Sequence, residues 1–197
     1  VAPFYFLYGL ESFYRVEIVQ ALTHQLITAD NRDFNLENFE ARETSAGDWV
    51  GAAQTLSFMG GSKLLIVRNL HETTLEDSDQ KTLLNYVADP APDSCLVITA
   101  DKVDRKRKLY KALTSHKGAV PCEAPQEAGL IPWLKRRARS LGYELQAEAA
   151  RKMVERVGAK PGILAKELEK VTTYAGKTKT ATGSMVGELV GEIKMEN

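Results

Sequence analysis

Two runs of mostly apolar residues constrain the fold of this 197-residue chain more than any other feature of its sequence. They lie in KLLIVR (63–68) and CLVITA (95–100), and in neither do apolar and polar residues alternate. A strand with one face in water shows such alternation, whereas a parallel strand covered on both faces does not. The two runs therefore predict central parallel strands of an α/β domain.

Three further runs complete a predicted set of five strands: 4–8 (FYFLY), 34–39 (FNLENF) and 119–124 (AVPCEA). Segments of helical length separate the strands, and Ser12 is the predicted N-cap of the first helix. The predicted helices cover residues 12–27, 47–56, 77–88 and 105–113. This alternation predicts a right-handed, doubly wound five-stranded parallel sheet covered by helices.

The pattern changes after Pro125, where no further strand is predicted. Helices are predicted at residues 127–141, 146–157 and 162–175, each followed by a glycine, and a shorter one at 185–190. We therefore expect two domains, an α/β domain at 1–124 and a small all-α domain at 125–197. The last residues, GEIKMEN, are polar and make no clear stop, so we expect the natural chain to continue.

The charges are divided between the two predicted domains, although the formal net charge is zero. Residues 1–124 hold 13 Lys and Arg against 17 Asp and Glu, a difference of −4, and residues 125–197 hold 13 against 9, a difference of +4. This division agrees with two domains. It argues against one broad basic face for nucleic acid.

The sequence also indicates a compartment. No apolar run reaches the roughly 18–20 residues that span a bilayer, and the N-terminus lacks a signal-peptide pattern. Cys95 and Cys122 lie in separate predicted strands, and two isolated thiols suit a reducing compartment. We therefore expect a cytoplasmic protein with no membrane partner, in which both cysteines are small buried core residues.

The first predicted strand, Gly9 and the following helix have the order of a phosphate-binding loop. That motif is G-x-x-x-x-G-K-[ST], in which backbone N–H groups and the lysine hold phosphate and the hydroxyl holds magnesium. Aligned on Gly9, its second glycine, lysine and hydroxyl fall on Tyr14, Arg15 and Val16. The third strand also ends in Arg68 rather than in an acid. We therefore expect a degenerate loop that binds no nucleotide cofactor.

Other catalytic chemistry is absent from the sequence pattern. His24, His71 and His116 stand far apart and in no metal-ligand spacing, and each is more typical of a surface or capping residue. No G-x-S-x-G motif occurs. We therefore expect neither a catalytic residue nor a metal site.

A basic run follows the fourth strand, in which five of the seven residues from Arg105 to Lys111 are Lys or Arg. Arg105, Lys106, Arg107 and Lys108 are candidates for contact with DNA phosphates or with another subunit. The alternative is a solvated helix face. A second basic cluster, WLKRRARSLG (133–142), carries the same two interpretations.

An apolar loop joins the second long helix to the third strand in QTLSFMGGSK (54–63). Leu56, Phe58 and Met59 lie beside Gly60 and Gly61, although loops are normally polar. An aromatic residue and a methionine at a glycine-hinged tip suit insertion into a partner's pocket. The alternative is that these side chains fold back on the core.

Taken in order, these segments resemble one family. They are YFLYG with the following ESF, DFNLENFEA, AAQTLSFMGGSKLLIVRN, DKVDRKRKLYKAL and AKELEKVTTYAGK. The ordered set resembles the delta subunit of the bacterial DNA polymerase III clamp loader over nearly the whole chain. The resemblance implies an AAA+ α/β module, a helical lid domain and a helical collar domain. This chain matches the first two and ends where the collar would begin.

The resemblance also implies a function. The family's P-loop is degenerate, and GAKPGILAKELEK lacks the sensing arginine of ATP-binding relatives, so a non-catalytic subunit of the polymerase III holoenzyme without ATP turnover is expected. The implied partners are the sliding clamp (beta subunit), other clamp-loader subunits and, indirectly, DNA in a nucleoid-associated replisome. The clamp-binding pair maps to Phe58 and Met59, preceded by Leu56, where a Leu-Phe pattern is familiar. An active AAA+ ATPase and a DNA-binding module are the alternatives.

Overall fold

A five-stranded parallel sheet lies at the centre of residues 1–123, the first of two units into which the chain divides. The computed structural model describes residues 1–57 and 60–192. In chain order the strands are β1 (Phe4–Tyr8), β2 (Leu36–Glu40), β3 (Lys63–Arg68), β4 (Ser94–Ala100) and β5 (Ala119–Pro121). Their spatial order is β2-β3-β4-β1-β5, so the two continuous apolar runs form the adjacent strands β3 and β4.

Helices cover both faces of this sheet, as the sequence predicts. They are α1 (Ser12–Leu26), the short α2 (Arg32–Asn35), α3 (Ala46–Gln54), α4 (Asp77–Ala88) and α5 (Lys108–Ser115). Apolar residues of α3, α4 and α5 share one core cluster with Leu65 and Val67 of β3. Leu22 of α1 shares another cluster with Leu64 and Ile66. All seven residues of β4 are buried, which confirms the interpretation of its apolar run.

Several predicted boundaries in this unit are wrong for local reasons. The strand predicted at 34–39 begins only at residue 36, because the backbone N–H groups of Phe34 and Asn35 donate to the Asn31 carbonyl and close a helical turn. Ser12 is the first residue of α1 rather than its cap. The cap is Glu11, whose Oε1 accepts a 3.1 Å hydrogen bond from the Phe13 N–H.

The ends of α3 and β5 also differ from the predicted ones. Helix α3 begins one residue early because Ser45 and Asp48 form a capping box, in which each side chain accepts from the other's backbone N–H. It ends at Gln54 rather than at Leu56. Strand β5 ends at Pro121 rather than at residue 124, although the Cys122 N–H still donates to the Tyr8 carbonyl at 2.6 Å.

Residues 124–197 form the second unit. Its helices are α6 (Glu127–Ser140), α7 (Ala147–Val157), α8 (Pro161–Ala175) and α9 (Gly183–Leu189). Their apolar faces enclose a separate core that includes Leu134, Met153 and Leu168. Gly158 and Gly176 are the C-caps of α7 and α8, and Gly142 follows the C-cap of α6, as predicted.

The prediction of no strand after residue 125 is wrong. Strands β6 (Glu144–Leu145) and β7 (Thr180–Ala181) pair in parallel within the second unit. Two residues are too short a run to show a period of two, but both inward side chains, Leu145 and Ala181, are buried. Across residues 1–57 and 60–192, no helix combines the length and apolarity needed to cross a bilayer.

Candidate functional site

The predicted strand–glycine–helix arrangement is present at the end of β1. Only residues 9–11 separate Tyr8 at the end of β1 from Ser12 at the start of α1. Gly9 has a φ of +125°, and a Cβ built on it would lie 2.3 Å from the carbonyl oxygen of Cys122. A side chain at this position is therefore excluded by the close approach of the backbone after β5. The absence of a side chain at Gly9 therefore allows the backbone after β5 to pack closely against the backbone after β1.

Two of the three backbone donors of this loop already have protein acceptors. The N–H of Gly9 donates to the Ala100 carbonyl at 3.0 Å, and the N–H of Glu11 donates to the Cys122 carbonyl at 3.0 Å. A working P-loop instead points free N–H groups at phosphate oxygens. In addition, the capping carboxylate of Glu11 occupies the N-terminus of α1, where it would repel a polyphosphate.

Arg15 stands at the position of the P-loop lysine, but its guanidinium is engaged within the protein. It donates to the Gly9 carbonyl and, at 2.5 Å, to Oδ1 of Asp101, the residue after β4. The side chain of Arg15 is only 11% exposed. The neighbouring positions offer no substitute, because Tyr14 packs against the core and Val16 is an exposed apolar side chain.

A cavity of about 350 Å³ opens beside Arg15, between α1 and the ends of β3 and β4. Its wall at the end of β3 contains Arg68 and Asn69, where an ATPase has an acid. The Nδ2 of Asn69 donates to Glu40 Oε2 at 3.1 Å, and Arg68 donates to Asn38 Oδ1 at 3.2 Å. Neither wall residue is a carboxylate that would hold magnesium.

The α3–β3 loop (residues 55–62) has a fixed base. The ammonium of Lys63, which is 5% exposed, donates to the Ala52 carbonyl at 2.8 Å and forms a 2.7 Å ion pair with Glu37. Ser94 Oγ donates to the Ala53 carbonyl at 2.6 Å. These donors bond carbonyls in the last turn of α3, where helical backbone donors run out. The chain therefore leaves α3 and enters β3 at defined positions.

A side-chain hydrogen-bond network from α2 reaches two residues of this loop, Ser57 and Gly60. The amide of Asn35 donates to the Gly60 carbonyl at 2.9 Å, and its Oδ1 accepts from Ser57 Oγ at 2.6 Å. Ser57 and Gly60 also bond each other, with Gly60 N–H donating to the Ser57 carbonyl at 3.4 Å. Phe58 and Met59, the predicted partner-binding pair, lie between these residues and outside the described ranges.

Two large apolar side chains are exposed, one in this loop and one on α2. The side chain of Leu56, the third predicted residue, is 79% exposed. Phe34, expected within a strand, lies instead on α2 and is 55% exposed. Leu56, two residues before Phe58, therefore presents a large apolar surface to solvent within this loop.

The four basic candidates after β4 do not share one helix face. Helix α5 begins at Lys108, three residues later than predicted, whereas Arg105, Lys106 and Arg107 lie in the preceding turn. Asp104 makes this turn, because its Oδ1 accepts from the Lys106 N–H at 3.0 Å and its carbonyl accepts from the Arg107 N–H at 3.0 Å.

Two of these cations lie over aromatic rings. The guanidinium of Arg105 is 5.9 Å from the ring centre of Tyr8, and that of Arg107 is 5.7 Å from the ring centre of Tyr110. A cavity of about 540 Å³ adjoins Arg105. It is lined by Tyr8, Arg105, Lys106, Lys111, Thr114 and Ser115.

A family model for the DNA polymerase III delta subunit matches residues 5–123, which is more than half of the chain. The chain belongs to this family. The DNA polymerase III subunit delta of Bacillus subtilis (strain 168) is 28% identical over 205 aligned positions, which cover 100% of this chain and 59% of that protein. The chain thus spans about three fifths of the length of this relative.

Solved structures agree with the delta family. The Bacillus subtilis DNA clamp loader delta protein (YqeN) is 27% identical and matches with a TM-score of 0.84, covering 98% of this chain and 59% of that one. Two variants of Thermotoga maritima RuvB match with TM-scores of 0.50 and 0.51 at 16% and 13% identity, each over 96% of this chain and 61% of RuvB. At such identities RuvB shows the fold alone, which is AAA+-like.

The interpretation of this delta-family sequence missed Asn35, Ser57 and Lys63. FNLENF was assigned to a strand, which would make Asn35 an ordinary strand residue, and nothing in the sequence marks its partners 22 and 25 residues away. Lys63 gave a weak signal. A lysine at the first position of a mostly apolar strand needs hydrogen-bond or ion-pair partners if its ammonium is buried.

Proposed function

We propose that this chain is the part of a clamp-loader delta subunit that binds the DNA sliding clamp and favours its open form during chromosomal replication. The observation that supports this most strongly is the α3–β3 loop. Its base is fixed by Lys63, its residues Ser57 and Gly60 are bonded by Asn35, and Leu56 is exposed two positions before Phe58. A rigid base with apolar tip residues suits an anchor that enters an apolar pocket.

The proposed mechanism is mechanical. Phe58 and Met59, with Leu56 before them, enter a pocket on the clamp near the interface between its subunits. Binding opens the ring only to the extent that the loop has a higher affinity for the open ring than for the closed one. Motor subunits of the clamp loader would use ATP to expose this surface.

We propose that this subunit is not itself an ATPase or another catalyst. The N–H groups of Gly9 and Glu11 are bonded to carbonyls, and Arg15 is paired with Asp101, so the elements of a phosphate cradle are committed to the protein. Helix α8 also contains no arginine that would sense a nucleotide. The chain therefore needs no nucleotide cofactor for the proposed role.

The remaining assignments concern the whole complex. We propose that residues 1–124 are the AAA+-like module, residues 125–197 the lid, and that a collar domain follows in the natural protein. Through such a collar the subunit would assemble with the other clamp-loader subunits in a cytoplasmic replisome. Its association with DNA would be indirect, through that complex. Arg105, Lys106, Arg107 and Lys108 would contact DNA phosphates or a neighbouring subunit.

The test of clamp binding is a pair of substitutions in the protein, Phe58→Ala with Met59→Ala, titrated by calorimetry with the sliding clamp of the same organism. Loss of two apolar anchors should weaken binding by about 2–4 kcal/mol, or roughly 30-fold to 1,000-fold. Leu10→Ala is the matched control, because Leu10 is an exposed apolar residue in a different loop. Unchanged affinity of the double variant would show that Phe58 and Met59 are not the clamp-binding residues.

A further inference from the structure

We propose that Asn35 is a positioning residue that fixes Ser57 and Gly60, the residues on either side of the proposed clamp-binding pair, before the clamp arrives. The inference rests on the proposed clamp-binding function, and it assigns a role to a residue that lies 23 positions before Phe58 in the sequence. Asn35 is the last residue of the short helix α2 and is completely buried. A buried amide is costly unless its hydrogen bonds are made, so its partners indicate its role.

Within the described residues, the side-chain hydrogen bonds of Asn35 all go to the loop. Its Nδ2 donates to the Gly60 carbonyl at 2.9 Å and to the Ser62 carbonyl at 3.3 Å, and its Oδ1 accepts from Ser57 Oγ at 2.6 Å. One amide thus bonds residues on both sides of the proposed clamp-binding pair. Among residues 1–57 and 60–192, this amide bonds the loop and no strand of the sheet.

The orientation of this amide follows from its partners. The Gly60 and Ser62 oxygens are carbonyls and accept only, so the amide nitrogen must face them. The oxygen then faces Ser57, whose hydroxyl can donate. The opposite orientation would set the amide oxygen against two carbonyl oxygens, which is unfavourable. The network therefore has a single arrangement.

Ser57 and Gly60 also form hydrogen bonds with each other. Ser57 Oγ lies 2.9 Å from the Gly60 carbonyl oxygen, and the Gly60 N–H donates to the Ser57 carbonyl at 3.4 Å. Ser57 and Gly60 are therefore bonded to each other as well as to Asn35. Gly60 and Gly61 follow with φ of +70° and +75°, and the Asn31 and Asn35 amides lie within 4 Å of the position of a Cβ on Gly61.

This arrangement has a consequence for binding. Residues that are already held in place, as Ser57 and Gly60 are, lose less conformational entropy when the loop binds a partner. Asn35 would therefore raise the affinity for the clamp without touching the clamp. Its effect should pass only through the tip residues, which distinguishes it from a contact residue.

The experiment is a double-mutant cycle in the intact protein, measured by calorimetry with the sliding clamp. Asn35→Ala should weaken binding about 10-fold to 100-fold. In a protein that already carries Phe58→Ala and Met59→Ala, Asn35→Ala should have no further effect. Asn38→Ala is the matched control, because Asn38 lies on β2 and accepts from Arg68 rather than from the loop.

Ser57 provides a second route that leaves the buried amide in place. Ser57→Ala removes the hydroxyl from Asn35 and Gly60 and should weaken clamp binding, whereas Ser57→Thr keeps the hydroxyl and should restore it. If Asn35→Ala does not fold, these two variants still test whether the Asn35–Ser57 hydrogen bond raises the affinity for the clamp.

Two results would overturn the inference. One is wild-type affinity in a folded Asn35→Ala or Ser57→Ala protein. The other is an effect of Asn35→Ala that persists undiminished without Phe58 and Met59. If the substitutions at Phe58 and Met59 alone leave affinity unchanged, the proposed clamp-binding site fails, and this outcome is separate from either of the other two.

Discussion

The guanidinium of Arg15 donates a 2.5 Å hydrogen bond to Oδ1 of Asp101, and the two residues lie 86 positions apart in the chain. The pair connects the first turn of α1 to the residue after β4. Arg15 stands at the position of the P-loop lysine, which would contact phosphate. The cation that a nucleotide would need is therefore already neutralised by a carboxylate of the protein.

This pairing leads to a prediction about nucleotide binding. Titration of Mg-ATP into the protein, followed by calorimetry, should show no saturable binding at micromolar concentrations. Asp101→Asn should bind no better, because the N–H groups of Gly9 and Glu11 keep their carbonyl acceptors when Arg15 is released. Saturable micromolar binding to the wild-type protein would instead favour the active ATPase.

The close approach at Gly9 leads to a prediction about stability. Gly9→Ala should lower the free energy of unfolding by about 2–4 kcal/mol, because the new Cβ meets the Cys122 carbonyl oxygen and φ is positive. Urea denaturation measures the change. Gly51→Ala is the matched control, since Gly51 lies inside α3 with no atom within 4 Å of its Cβ position, and it should stabilise by about 0.5–1 kcal/mol. Equal effects of the two substitutions would contradict the steric account.

His116 leads to a prediction about pH. Burial lowers the pKa of His116 from 6.5, and Lys117 contributes in the same direction. Its ring packs edge-on against Phe4, and its Nδ1 accepts from the Gly118 N–H at 3.0 Å. Because the folded state binds the proton less readily, the stabilisation is complete above the unfolded pKa and is lost as the pH falls through the folded pKa.

Urea denaturation at pH 7.5 and at pH 5 tests this. The free energy of unfolding should fall between the two, and His116→Asn, which keeps an acceptor for Gly118, should reduce the fall. His24→Asn controls for the removal of a histidine, because His24 is exposed. An identical fall in the wild-type and His116→Asn proteins would exclude His116 as its source.

Cys95 leads to a prediction about reactivity. Burial raises the pKa of its thiol to about 12, so at pH 8 only about one thiol in ten thousand is ionised. In a Cys122→Ser protein, iodoacetamide should therefore label Cys95 very slowly at pH 8. Labelling should become rapid in denaturing urea, as followed by mass spectrometry. Rapid labelling of the folded protein would show that this thiol is not buried.

Strands β3 and β4 were predictable because burial on both faces leaves a continuous apolar run, and both cysteines are buried as expected. Glycines marked the ends of α6, α7 and α8 for a similarly local reason, since they follow directly in the chain. The two-residue strands β6 and β7 were missed because they are shorter than any periodic signal. Phe34 was misplaced because a hydrogen-bonded turn at Asn31 overrides the β-like composition around it.

The sequence by itself determined the order of the five strands of the large sheet and of the long helices, the degenerate loop after Gly9 and the apolar residues of the α3–β3 loop. Each of these depends on residues that are close together in the chain. Only the tertiary structure decided that Arg15 meets Asp101 and that Asn35 reaches Ser57 and Gly60. Such pairs bring together residues 22 to 86 positions apart, and their geometry exists only once the sheet has placed its strands side by side.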